Sequence, residues 1–279
     1  MSDPPLYVEP QLRLAQVRGR RCSWRELGAG ACLPLVLLHG IGSNASTWAG
    51  QFAGFAGERR VTAWNAPGYL ASDCLDTDWP TASDYAEAAI QLLDHLEIAR
   101  FILLGQSLGA VMATSLALRV PDRVAALALA SPAGGYSMMP GAALPDALDK
   151  RLRDLDALGP AEFASARADR LLTARASDEA RKIVHRSMSE IVTEGYIQAT
   201  RLLATSNLLE SVKALSVPTL VLWGAQDDIT PPASCRKIAQ AAPNAQAREI
   251  PGGGHALATE LPALFNDVLR PFLRANDVT

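Results

Sequence analysis

The chain has 279 residues, 49% of them hydrophobic and 20% charged, with a formal net charge of −3. That composition suits one large α/β domain with an ample core, and no basic block marks a nucleic-acid surface. No run of about 18 apolar residues reads as a membrane span, and Met1-Ser2-Asp3-Pro4-Pro5 lacks the basic start and apolar stretch of a secretory leader. The four cysteines (Cys22, Cys32, Cys74, Cys235) are scattered without metal-binding spacing. The expectation is a cytoplasmic protein with reduced thiols, needing no cofactor and no metal.

Leu12 to Val17 and Cys22 to Leu27 read as a strand pair joined at Arg18-Gly19-Arg20, a solvated turn rather than a phosphate grip. Leu35-Val36-Leu37-Leu38 is a continuous apolar run, as expected of a parallel strand covered on both faces, and it ends at His39-Gly40. Arg60 to Trp64 is the next strand, stopped by Asn65-Ala66-Pro67-Gly68. Thr81-Ala82-Ser83-Asp84 has the form of a capping box. It opens a helix whose apolar residues Tyr85, Ala88, Ala89, Leu92, Leu93 and Leu96 share helical spacing. Phe101 to Leu104 is a strand, Ala110 to Leu118 a helix, and Val124 to Ala130 a strand after the stop at Pro121-Asp122-Arg123. Alternation of this kind predicts a mostly parallel sheet with helices on both faces.

The alternation stops after Ser131. From about Pro132 to Leu215 no buried strand is predicted. A Gly/Pro/Met-rich loop, Gly134 to Pro145, precedes four helical segments at Ala147–Leu158, Ala161–Thr173, Ser177–Ile191 and Glu194–Ala204. The division is then a core of residues 1–131 and 216–279, with residues 132–215 as a helical cap over the C-terminal edge of the sheet. Strands resume at Pro218 to Trp223 and at Ala247 to Ile250.

Between the Phe101 strand and the helix that follows lies Gly105-Gln106-Ser107-Leu108-Gly109. A serine flanked by glycines two residues away on each side, at a strand-to-helix turn, is the nucleophile elbow pattern. The turn is tight enough that side chains at Gly105 and Gly109 would strike backbone. Ser107 is then held above the sheet at the positive end of a helix.

Acyl transfer by a serine needs a base, a group that orients the base, and oxyanion donors. Of four histidines, His39 ends a strand, His95 reads as solvent-facing and His185 lies in the cap. His255, in the loop Pro251-Gly252-Gly253-Gly254-His255 after the last strand, is the candidate base. Asp227, chosen over its neighbour Asp228, follows the Leu220–Trp223 strand and is the candidate acid, whereas Ser131-Pro132 offers no carboxylate at the other strand end. The backbone N–H groups of Ile41 and Leu108 are the candidate oxyanion donors, worth about 3 kcal/mol each. Trp48, Met138, Met139 and Trp223 read as core in preference to pocket lining.

His39-Gly40-Ile41-Gly42, Trp64-Asn65-Ala66-Pro67-Gly68-Tyr69, Gly105 to Gly109, Trp223-Gly224-Ala225-Gln226-Asp227 and Gly253-Gly254-His255 together resemble the serial motifs of the α/β-hydrolase fold superfamily. The resemblance runs from about Leu35 to Leu273 and implies a mostly parallel eight-stranded sheet flanked by helices, with a helical lid. Within the superfamily the chain is most similar to bacterial carboxylesterases, 3-oxoadipate enol-lactonases and the carbon–carbon bond hydrolases of aromatic catabolism. It departs from the last group in having Ala256 where a tryptophan is usual and Gln106 where Asn is usual. A lid arginine that grips a substrate carboxylate is expected in that group. Arg186 is one match, in competition with Arg167, Arg170, Arg175 and Arg181.

The leading expectation is a serine hydrolase of a small carboxylic ester or enol-lactone. The alternatives are hydrolysis of a ring-fission dienoate at a carbon–carbon bond and a ligand receptor on a hydrolase scaffold. The partner is a small ester, lactone or dienoate, with no nucleic acid or membrane involved. A homodimer is possible.

Overall fold

The computed structural model describes residues 5–277. The leader reading at Met1-Ser2-Asp3-Pro4 lies outside them. Eight strands form one sheet in the order β1-β2-β4-β3-β5-β6-β7-β8. They are β1 (Leu12–Val17), β2 (Arg20–Leu27), β3 (Cys32–Leu38), β4 (Arg59–Asn65), β5 (Phe101–Gln106), β6 (Val124–Ala130), β7 (Thr219–Gly224) and β8 (Gln246–Ile250). β2 pairs antiparallel with β1 and β4, and the other ladders are parallel.

The period of two along the strands divides the core into two layers. In β3, Leu35 and Leu37 face one layer while Val36 and Leu38 face the other. In β6 the small residues Ala126, Ala128 and Ala130 go to the first layer, and Leu127 and Leu129 to the second. Large aromatics fill the first layer from α1 (Ala49–Phe55), through Phe52 and Phe55, and from the C-terminal helix 262–275, through Phe265. The second layer is closed by α2 (Ala82–His95) and α3 (Leu108–Arg119). The Thr81–Asp84 capping box forms at the start of α2, with both of its reciprocal hydrogen bonds present.

Residues 132–215 contain no strand among the described residues. They carry α4 (Asp146–Arg167), α5 (Asp178–Ser189), α6 (Thr193–Thr205) and the single turn α7 (Leu208–Ser211). α4 breaks at Gly159, just before Pro160, so its two halves match the two helices expected over 147–173. The second half ends at Arg167 and passes into a 3-10 turn at Ala168–Leu171, short of Thr173. The backbone there is used elsewhere: Leu171 O accepts from Ala256 N at 2.8 Å, and Thr173 N donates to Glu260 at 2.8 Å. The end of this segment is also fixed to the sheet side. Gly195 at the start of α6 packs directly on Gly68 backbone, where a Cβ on either residue would fall inside 3.0 Å of the other. Gln198 hydrogen-bonds Leu75 through both N–H and C=O, at 3.1 and 2.8 Å. After β7 come α8 (Pro232–Ala241), the short α9 (Leu257–Glu260) and α10, the C-terminal helix Pro262–Ala275. Among the described residues, no helix is long and apolar enough to cross a membrane.

Candidate active site

Parallel register sets the site. Leu38 is opposite Gly105, Gln106 opposite Ala130, Ala130 opposite Leu222, and Gly224 opposite Ile250. The loops after β3, β5, β7 and β8 therefore leave the sheet at one edge, the C-terminal edge where open α/β sheets bind ligands. Those loops carry Ile41, Ser107, Asp227 and His255.

Ser107 sits at φ 53° and ψ −117°, between β5 and α3. Positive φ is costly for a residue with a side chain, by about 1–3 kcal/mol, and persists where surrounding structure enforces it. Here the enforcement is visible. A Cβ on Gly105 would lie well inside 3.0 Å of Gly109 backbone, and one on Gly109 would meet Leu38 and His39 carbonyls equally closely. Ser107 N–H donates to Ala130 O at 2.9 Å. Leu108 is the first residue of α3, so its N–H has no acceptor within the helix. The β3 loop passes directly over the serine: a Cβ on Gly40 would be 2.9 Å from the Ser107 Cβ. Ile41, next in sequence, lines the cavities above Ser107.

Asp227 is 1% exposed, whereas Asp228 is exposed. His255 Nδ1 lies 3.0 Å from Asp227 Oδ2 and 3.2 Å from Oδ1. Oδ1 also accepts the N–H groups of Ile229 and Thr230, each at 2.9 Å, and Thr230 Oγ1 lies 2.8 Å from Oδ2. Burial works to raise the Asp227 pKa, but His255 and the Thr230 donors outweigh it, and the carboxyl titrates below its ordinary 3.8. The imidazole is held from behind as well. Gln106 Nε2 donates to His255 O at 2.9 Å. Glu260 Oε2 accepts from Gly254 N at 2.8 Å, while Oε1 takes the amide and hydroxyl of Thr173. Ala256 N reaches Leu171 O. The loop that carries His255 is thus tied to both the Ser107 turn and residues 171–173.

The other histidines are placed differently. His39 is buried, with Nδ1 2.9 Å from Gly40 O and Nε2 accepting from Ala66 N at 3.0 Å, so both ring nitrogens are occupied. His95 and His185 are exposed. Burial lowers the His39 pKa from 6.5 to about 4. The unfolded chain binds this proton below pH 6.5 and the folded chain does not until about pH 4. The neutral ring therefore contributes its full stability above pH 6.5, and that contribution drains away as pH falls to about 4, by about 3 kcal/mol. Urea denaturation between pH 7 and 4.5 should show this decline, and His39→Gln should flatten it.

Two cavities open on Ser107 and His255. One, of about 30 Å³, reaches Gly42, Ser43 and Thr47. The other, of about 300 Å³, runs beneath residues 146–203 and is lined there by Arg151, Arg167, Arg170, Met188, Tyr196 and Leu203. Arg186 does not reach it. That side chain turns to Glu9 on the outside, so the candidate match to a substrate-gripping lid arginine does not hold for it. Arg175 is exposed and Arg181 pairs with Asp169 at 2.9 Å. Arg151, which no sequence motif marks, does line the cavity. Trp48 and Trp223 are core residues, Met138 packs on the core, and Met139 is 76% exposed. No cluster of histidine, cysteine or carboxylate side chains suited to a metal occurs among the described residues.

A mostly parallel sheet with a sharp serine turn on one strand and a buried carboxylate–imidazole pair on the next loops defines a hydrolase of the α/β class. Residues 34–260 match the alpha/beta hydrolase fold family, and the chain belongs to it. It is 30% identical to a putative carbamate hydrolase of Klebsiella pneumoniae, over 86% of this chain and 91% of that protein. It is 32% identical to the dihydrolipoyllysine-residue acetyltransferase component of an acetoin cleaving system from Pseudomonas putida, over 95% of this chain and 70% of that one. Among solved structures, the enol-lactonase from Burkholderia xenovorans superposes with a TM-score of 0.84 at 25% identity, covering 94% of this chain and all of that one. A thermophilic esterase from Thermogutta terrifontis gives the same score and identity, covering 96% and 100%.

Proposed function

We propose that this protein is a serine hydrolase that opens a small carboxylic ester or enol-lactone through an acyl-enzyme. The observation that carries the reading is the buried Asp227–His255 pair, sharing a cavity with a serine held at positive φ. With Nδ1 turned to Asp227, Nε2 is the ring nitrogen left to take the Ser107 proton. Ser107 Oγ then adds to the carbonyl, and the N–H groups of Ile41 and Leu108 receive the developing oxyanion. His255 returns the proton to the leaving oxygen, and Asp227 stabilises the imidazolium in between. Water activated by the same ring hydrolyses the acyl-enzyme, and the 30 Å³ recess beside Ser107 and His255 has room for one water. In this reading residues 132–215 are a lid that roofs the larger cavity.

The enol-lactonase and esterase neighbours support the carbonyl chemistry. Arg186 lies outside the cavity, whereas Arg167 and Arg170 line it, so the arginines by themselves do not separate ester from carbon–carbon bond cleavage. The test is covalent labelling with a fluorophosphonate, followed by peptide mass mapping. The label is expected on the peptide containing Ser107, with loss of hydrolysis of p-nitrophenyl esters and an enol-lactone in step with labelling. Label on another serine, or activity that survives full labelling of Ser107, would overturn the proposal.

A further inference from the structure

The larger cavity has an uneven charge. Three arginines line its upper wall, Arg151, Arg167 and Arg170, and no Asp or Glu is among its lining residues. The whole chain is net negative, so a general basic background does not account for this. Nor do nearby carboxylates neutralise the wall. The closest partner is Asp154, which lies 3.6 Å from Arg167 but is already held by Lys150 at 2.7 and 2.9 Å. Arg170 has no acid partner among the described residues. Arg151 bonds to the Tyr196 hydroxyl, yet its Nε is buried without any partner. Arg167 is half-buried and sits over the Phe163 ring, 5.2 Å from its centroid. Three cations sharing a semi-enclosed wall repel one another, and an anion between them relieves that repulsion. Across the cavity, the lip of the Asp227 loop offers Ile229 and Pro231, which carry no charge.

Resting on the assignment of Ser107 as nucleophile, we propose that the substrate is a small ester or lactone carrying a doubly charged anionic group. Arg151, Arg167 and Arg170 hold that group, and the scissile carbonyl lies at Ser107. The charge count sets the valence. Of three arginines, one is partly balanced by Asp154, which leaves about two positive charges to match. The cavity volume sets the size: 300 Å³ is the space of about ten water molecules, enough for a short acyl chain and its charged end. Two carboxylates and one phosphate monoester meet the same requirement. The planar guanidinium forks suit either, since each can be bound through paired N–H···O contacts.

The experiment compares kcat/KM for four methyl or acetyl esters of similar length: methyl butyrate, monomethyl glutarate, the monomethyl ester of tricarballylate, and 3-acetoxypropyl phosphate. They carry zero, one, two and two negative charges. The expected order rises at least tenfold with each charge. Preference between the last two tells whether carboxylates or phosphate are the natural group. Arg170→Gln, at an exposed position free of structural bonds, is expected to erase about tenfold of the preference for doubly charged esters. Arg167→Gln should do the same more strongly. Equal kcat/KM across the panel, or a charge preference that survives both substitutions, would overturn the inference. A second arm needs no turnover: glutarate and 3-hydroxypropyl phosphate are titrated calorimetrically into Ser107→Ala and Ser107→Ala/Arg167→Gln. Binding that weakens at least tenfold in the double variant supports the subsite even if Ser107 is not the nucleophile, and indifference to Arg167 sinks it. Absence of ester turnover by the unmodified enzyme across the panel, with that binding intact, would instead remove the ester-hydrolase reading alone.

Discussion

Ser107→Ala is expected to lower kcat by about a million-fold, to a residue of activity supplied by binding and the oxyanion donors alone. The loss should fall on kcat and leave KM within a few-fold, because the hydroxyl acts on the reacting carbonyl and not on the distant part of the substrate. The same position carries a stability signature. Ser107 holds φ at 53° against the preference of any residue with a Cβ. Alanine inherits that strain, and glycine does not. Ser107→Gly is therefore expected to be as inactive as Ser107→Ala but more stable than it by about 1 kcal/mol, seen as a higher denaturant midpoint. Equal stability of the two variants would show that the turn is not strained. Retained turnover in either would show that the chemistry lies elsewhere.

Asp227→Asn is expected to cost about ten-thousand-fold in kcat with little change of fold. An amide at this position can present N–H to His255 Nδ1, which drives the ring into the tautomer that cannot accept the Ser107 proton. It also removes the charge that stabilises the imidazolium. The pH dependence follows from the depressed carboxyl. Because Asp227 titrates below 3.8 when folded, its paired charge contributes stability above that value, and the contribution is lost as pH falls through the folded pKa. Asp227→Asn should lose less stability than the parent on acidification below about pH 4. Denaturation curves at pH 5 and pH 3 for both proteins check this, and parallel losses would contradict it. Asp228→Asn, altering an exposed neighbour, serves as the control and should leave kcat within twofold.

The sheet was readable because its central strands are unbroken apolar runs, and such runs have few alternatives. β3, β5, β6 and β7 lie where Leu35–Leu38, Phe101–Leu104, Val124–Ala130 and Leu220–Trp223 predict them. The ends were less readable, since β3 begins at Cys32 through pairing with Arg59 of β4 that no local pattern announces. The helix expected to reach Thr173 stops at Arg167, because distant groups at Ala256 and Glu260 take the backbone of residues 171–173. Local propensity carries no trace of partners some 85 residues away. The site divides the same way. Ser107, Asp227 and His255 stand in short motifs with a mechanical reason for each glycine or strand end. Thr230 had a faint signal, as a hydroxyl three residues after an aspartate at a turn. Glu260 and Arg151 had none, for their roles exist only once the helices are folded over the sheet.

Among the joints that fasten the helical segment to the sheet side are backbone against backbone at Gly68 and Gly195, with Gln198 alongside, and the Glu260 link to Thr173. Such riveting makes residues 132–215 a poor candidate for transplantation. A chimera that exchanged residues 132–215 for those of a relative would inherit the new specificity only if the donor also brought a matching small residue opposite Gly68 and a partner for Glu260. Without them the graft would sit high and drag the histidine loop with it. Recombination that respects these joints should therefore yield far more folded offspring than recombination at the segment's ends alone.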